Sequence, residues 1–396
     1  MLTATVRADA STVFSKSHKW GFFPSFAGAW TISNERFLED ADWLSMLKLR
    51  VGWGTVGNDR ISSYLSQDLY SASRYGVGAD QLVVLTPKQI ANQDLKWEGS
   101  TTTNLGIDFN VLDSRLNVTV DAFLKDTKDL LLAQKLAHVT GFDTQWQNVG
   151  KIRNMGVELT VSSVNFNRRN FFWTTDFNIS YVKNKLMALQ SGTSYISTST
   201  SINSNFSQDD YISYVGSALG DMYGYVYDGV YQYSDFYRAP GSSEWILKPD
   251  VADISEHAGR PAEPGMVKYR DINGDGKITS DDRTTIGNGQ PEWFGGITNS
   301  FQFYGVDLSF MFQFSMGNEV YNATRMFCTQ SQDERSNAMG ELRDRWTPTN
   351  ASNKVPSVDG YVKYDVYSRF IEDGSFLRLK NLTLGYTIPE KLTRRI

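Results

Sequence analysis

The chain has 396 residues, with 39 Lys+Arg against 44 Asp+Glu and a formal net charge of −5. A mean hydropathy of −0.38, with no run approaching the ~18 apolar residues of a spanning helix, excludes a helical membrane protein. The near-balanced charge, without a Lys/Arg block, gives no footprint for nucleic acid. One cysteine, Cys328, excludes a disulfide framework or a multi-cysteine metal site. His18, His138 and His257 lie far apart without a neighbouring carboxylate motif, which leaves histidine chemistry little to work with. The composition to be explained is a polar chain that carries 23 Phe, 20 Tyr and 10 Trp.

Period-two alternation predicts strands over 2–8, 21–33, 46–55, 100–111, 115–127, 153–164, 171–183, 292–304, 306–316 and 375–388. Leu47, Leu49, Val51 and Trp53 face away from Lys48, Arg50, Gly52 and Gly54. Val306, Leu308, Phe310, Phe312 and Phe314 likewise oppose Asp307, Ser309, Met311, Gln313 and Ser315. Several strands match the ~9–11 residues that cross a bilayer at a tilt. The connections alternate in kind: 34–45, 112–114, 165–170 and a turn at Gly305 on one side, and 9–20, 56–99, 128–152, 184–291 and 317–374 on the other. Short turns at one rim and long loops at the other describe an outer-membrane barrel. Trp173, Phe177, Tyr181, Phe310, Phe312 and Phe314 then read as lipid-facing and rim aromatics. A soluble sandwich would give the same alternation, burying those residues under a second sheet. The segment YGYVYDGVYQ (223–232) alternates too, but counting it as a wall strand would put the next short turn on the wrong side. The whole of 184–291 is therefore one long excursion.

Particular strings then add a family. WGFFPS (20–25), LKLRVGWGTVGN (47–58), KWEGSTTTNLGIDF (96–109), NVGKIRNMGVEL (148–159), YGYVYDGVYQ, GMVKYRDINGDGKITSDDR (265–283), IGNGQPEWFGG (286–296) and GSFLRLKNLTLGYTIP (374–389) follow one another along the chain. In these it resembles the C-terminal part of the SusC/RagA-type TonB-dependent transporters of Gram-negative outer membranes. The resemblance implies an all-β fold, with residues 1–396 as about ten antiparallel strands of a 22-stranded transmembrane barrel. It implies an outer-membrane location and import of bulky nutrients, glycans or peptides. A SusD-like surface lipoprotein would close the mouth, and the TonB complex would act through a plug. The sequence has no signal-peptide pattern, plug or TonB box, and reads as a segment truncated at both ends. The alternative from another class is an extracellular β-rich carbohydrate-binding or adhesion module with a structural calcium.

Two candidate sites fall within the excursion. Over 271–282, Asp271, Asn273 and Asp275 supply oxygens at positions 1, 3 and 5 of a calcium-type loop, with Gly276 at the sharp turn. Lys277 offers its carbonyl at 7, Thr279 stands at 9 and Asp282 closes at 12, which suits a structural Ca2+. An Asx/Gly turn stable without metal has the same sequence. The excursion also holds half of the tyrosines. Tyr231, Tyr233 and Trp245 are candidate contacts for substrate or partner, since aromatic faces with polar tips suit both. The competing reading has Tyr223, Tyr225 and Tyr227 packing inward. Nothing points to an enzyme: there is no Walker loop or G-x-G-x-x-G, and the acid pairs Asp209-Asp210 and Asp281-Asp282 lie in loops.

Overall fold

Ten strands pair edge to edge in strict chain order. The computed structural model describes residues 1–77, 80–189, 192–199, 209–238, 240–241, 243–330, 337–362, 365–389 and 393. The wall strands are β1 (Leu2–Ala10), β2 (Trp20–Thr31), β3 (Leu44–Asn58), β4 (Glu98–Val111), β5 (Leu116–Lys128), β6 (Lys151–Arg168), β7 (Phe171–Ala188), β8 (Trp293–Phe303), β9 (Val306–Met316) and β10 (Phe376–Tyr386). Every neighbouring pair is antiparallel, and β1 and β10 form the two edges of an open sheet. Each expected strand is present, and YGYVYDGVYQ stays out of the wall. Asp221–Gly224 pairs with Thr284–Asn288, and Tyr227–Val230 with Val267–Tyr269.

The two rims differ as the connections predict. On the short rim, β8 and β9 join through Tyr304 and Gly305, whose φ values of 48° and 87° are the left-handed pair a two-residue hairpin needs. On the long rim lie 11–19, 59–97, 129–150, 189–292 and 317–375. Several wall strands run further than the alternation suggested, β6 and β7 most: β6 reaches Arg168 rather than 164, and β7 reaches Ala188 rather than 183. A bulge between Val164 and Phe166 shifts the pattern in β6. In β7, Lys183-Asn184-Lys185 lies beyond the apolar band, where alternation has no lipid to answer.

Register turns the alternation into faces. Leu49, Ile107, Val120, Leu159 and Ile179 lie opposite one another across β3–β7, and Lys48, Asp108, Thr119, Thr160 and Asn178 do so on the other face. Phe177, Ile297 and Phe312 continue the apolar face. No second sheet covers it among the described residues: Leu377 and Leu384 are 71% and 74% exposed. The sandwich reading is thereby replaced by a wall whose apolar face meets lipid. Aromatic pairs mark both margins of the band, Tyr181–Trp293 at the long rim (4.7 Å) and Phe171–Phe303 at the short rim (6.2 Å). Inside, Arg50 reaches Asp108 twice at 2.9 Å and Asp121 at 2.9 Å.

Candidate functional site: the crown over the long rim

The apolar core of this chain lies in its loops. Tyr225, Tyr231, Phe236, Ile254, Met266, Val267, Tyr269, Ile278, Met326, Tyr361, Val366, Tyr367 and Phe370 form one buried cluster, drawn entirely from 189–292 and 317–375. The two longest excursions therefore fold together as one crown above the wall. Backbone bonds stitch them: Tyr225 N donates to Val366 O (2.9 Å), Ser368 N to Tyr225 O (3.0 Å) and Val267 N to Gly360 O (2.7 Å). Tyr225 and Tyr269 stack at 4.7 Å with their planes 8° apart. Burial pushes the hydroxyls of Tyr225, Tyr231, Tyr269 and Tyr367 well above the ordinary phenol range.

Charged groups sit at the seams of the crown. Arg325, on the helix Ala323–Gln330, makes a forked contact with Glu341 (2.8 and 3.0 Å) and reaches Glu372 at 3.1 Å. Arg369 meets the same Glu341 at 2.9 Å. These hydrogen bonds hold the Glu341 carboxyl below the usual carboxylate range. His257 was not expected to find a carboxylate, yet its Nε2 lies 2.6 Å from Oδ2 of fully buried Asp365, to which Tyr269 also donates at 3.0 Å. The partner is 108 residues away in sequence, which no local motif reveals.

The expected contact residues divide. Tyr231 is fully buried and its hydroxyl donates to Ala252 O at 2.5 Å, so it is a core residue rather than a surface contact. Tyr225 is buried too, as the inward-packing alternative has it. Tyr233 is 39% exposed and lies 4.8 Å from Trp245, whose ring also carries the Arg238 guanidinium at 4.0 Å. Trp346, which no motif singles out, joins Tyr233 at 5.4 Å. It packs over Gly265, where any Cβ would lie 2.5 Å from the indole ring.

The loop 271–282 is closed by its own side chains. Asp271 accepts from Gly274 N (2.6 Å) and Gly276 N (2.7 Å), Asn273 from Asp275 N (2.9 Å), and Asp275 from Lys277 N (2.8 Å). Those backbone bonds, Gly276 foremost, hold the Asp271 carboxyl low. Asp282 is buried and accepts from Ile272 N (2.9 Å) and Thr279 N (2.8 Å), forming with Thr279 the cap of the turn Ser280–Asp282. Among the described residues no three His, Cys, Asp or Glu side chains converge as a ligand set. The exposed oxygens of Asp271, Asn273 and Asp275 keep free lone pairs of the hard type calcium takes, whereas Thr279 and Asp282 are committed to the cap.

Several of the quoted strings turn out to fasten the long-rim excursions to one another. Asn148 accepts from Lys96 N (2.9 Å) and donates to Lys96 O (2.8 Å), zipping 59–97 to 129–150. Asn288 donates to Asp221 at 2.5 Å, and its own N–H goes to Glu319 at 2.8 Å. The profile of the family described as "TonB dependent receptor-like, beta-barrel" matches residues 1–244. The chain belongs to this TonB-dependent receptor family. Across 393 residues the receptor is 35% identical to TonB-dependent receptor P3 of Formosa agariphila, covering 98% of this chain and 37% of that relative. It is 30% identical to TonB-dependent receptor SusC of Bacteroides thetaiotaomicron, covering 98% of this chain and 36% of SusC. The solved RagAB peptide transporter superposes with a TM-score of 0.78 at 25% identity, over 99% of this chain and 40% of that one. The receptor chain thus spans 36–40% of the length of these relatives. It is an outer-membrane barrel wall of the SusC/RagA type.

Proposed function

We propose that this chain supplies part of the wall, and the outer crown, of a TonB-dependent transporter that imports bulky nutrients, oligosaccharides or peptides. The observation that carries the reading is the co-folded crown of 189–292 and 317–375, set on the mouth of a wall with a polar inner face. The similarity to the RagAB peptide transporter supports the peptide class, and the relative SusC supports the receptor role. A SusD-like surface lipoprotein closing over the crown, and the TonB complex acting through a plug, complete the proposal. Uptake of labelled oligosaccharides and peptides by cells carrying or lacking the complete transporter gene tests it. TonB-dependent uptake of either class supports it, and unchanged uptake of both overturns it. A co-purifying surface lipoprotein is the expected partner.

Within the crown, the Tyr233–Trp245 pair is proposed as a contact for substrate or lipoprotein. Replacing both with Ala should weaken uptake or lipoprotein retention, and no change in either counts against the pair. The 271–282 loop is proposed as a structural Ca2+ site held by Asp271, Asn273, Asp275 and the Lys277 carbonyl. Asp282 would join only by releasing its cap. Calorimetry with millimolar calcium should show heat that Asp275→Ala removes; no heat ends the proposal.

A further inference from the structure

The outward face of the wall carries one strongly basic patch, confined to three adjacent strands. Above Tyr181 and Trp293, which mark the outer aromatic margin, the next outward position on β7 is Lys183, opposite Met155. One step higher, Lys185 lies opposite Arg153, which lies opposite Asp126. Higher still, Lys151 lies opposite Lys128. Five cations thus meet one carboxylate. Asp126 engages Arg153 (2.7 Å) and Lys151 (2.9 Å), while Lys128, Lys183 and Lys185 have no ionic or hydrogen-bonding partner among the described residues. The nearby Asp129 is taken by Lys96 at 3.1 Å. At the level of Asp126 the strands on one flank, β4 and β3, present Thr101 and Thr55, which carry no charge.

Parity and depth decide what this patch can meet. These side chains share the face of Val157 and Leu159 and point away from the lumen, so they play no part in passing a nutrient. Two residues of strand at ~3.4 Å rise and ~40° tilt place Lys183 about 5 Å beyond the aromatic margin. That is the headgroup level of the outer leaflet, where lysines extend their ammonium groups from apolar stems. Ammonium and guanidinium groups gathered at that height complement phosphate. We propose that the outward faces of β5, β6 and β7 form a binding site for the phosphate groups of an anionic outer-leaflet glycolipid. Arg153 and Lys151, fixed by Asp126, would form the rigid part, and Lys128, Lys183 and Lys185 the adaptable part. The proposal depends on membrane placement of the wall and not on what is transported.

Native mass spectrometry of the complete transporter in detergent, with bisphosphorylated lipid A added, provides the test. Wild type should retain the lipid. Each of Lys128→Gln, Lys183→Gln and Lys185→Gln should weaken retention about fivefold, and the triple variant should lose it. Lys125→Gln, on the lumenal face of β5, should leave retention unchanged. Lipid A stripped of both phosphates should not be retained, and millimolar inorganic phosphate should not displace the intact lipid. Full retention by the triple variant, equal retention of the stripped lipid, loss in Lys125→Gln, or displacement by free phosphate would each overturn the proposal.

Discussion

His257 and Asp365 bind the two excursions of the crown together, Nε2 to Oδ2 at 2.6 Å, in a setting where the carboxylate has no access to water. Removing the imidazole leaves Asp365 buried with only the Tyr269 hydroxyl on its Oδ2. His257→Ala should therefore destabilise the crown by roughly 3–5 kcal/mol, the scale for orphaning one member of a buried pair. Asp365→Asn, which leaves no stranded charge, should cost less. Hydrogen exchange across 225–269 and 361–370 reports both; a larger loss in Asp365→Asn would refute the ordering.

Within the wall, the Arg50 guanidinium crosses Gly106 to reach Asp108 and Asp121. A Cβ at Gly106 would lie 2.6 Å from Arg50 Cζ and 2.3 Å from Asp121 Oδ1. Gly106→Ala should cost about 1–3 kcal/mol by overpacking. Combined with Arg50→Ala, which removes one of the two crowding groups and frees Asp121 to move, the added cost of Gly106→Ala should shrink. Thermal unfolding in detergent measures both, and strict additivity would show that the arginine is not what the glycine accommodates.

The wall was legible because its signal is local. A strand repeats every two residues, and each of these strands is long enough for Leu49 and Val51, or Phe310 and Phe312, to declare a face. The crown has no such period. Its strands, such as Phe236–Arg238 and Trp245–Leu247, have three residues each, and its seams join positions as distant as His257 and Asp365. Tyr231 and Tyr233 show the failure closely. Their spacing suggests one face, but strand Tyr227–Val230 has ended and a 3-10 turn begins at Tyr233, so one ring is buried and the other exposed. In the 271–282 loop, residue types alone suggested six ligands, and only the folded geometry shows two of them acting as a cap.

Acid should loosen the crown through Glu341. Arg325 and Arg369 hold its folded-state pKa below the ordinary 4.5. A depressed folded value contributes stability above the unfolded pKa, and that contribution is lost as pH falls through the folded value. Exchange protection near Arg325 and Arg369 should therefore be full at neutral pH and decline below the ordinary carboxylate range. Glu341→Gln should be less protected at neutral pH and change less on acidification. A variant as acid-sensitive as wild type would place the titrating group elsewhere.

Phe312 and Ser309 test the assignment of faces on one strand. Phe312 lies between Ile297 and Leu379 on the apolar side, whereas Ser309 faces Ser300, with 3.2 Å between hydroxyls, on the polar side. An arginine in place of Phe312 must sit near the middle of the lipid band, which costs roughly 2–4 kcal/mol in barrels of this kind. An arginine in place of Ser309 enters the polar interior and keeps its hydration, so Ser309→Arg should cost well under half as much. Denaturant unfolding of the complete transporter reconstituted in lipid vesicles reads the difference directly. The same pair measured in a soluble sandwich would reverse nothing at Phe312, since a buried core also rejects charge. The deciding comparison is therefore the Phe312→Arg penalty in thin and thick bilayers. Lipid exposure predicts that the penalty rises with thickness, and a constant penalty would place Phe312 against protein.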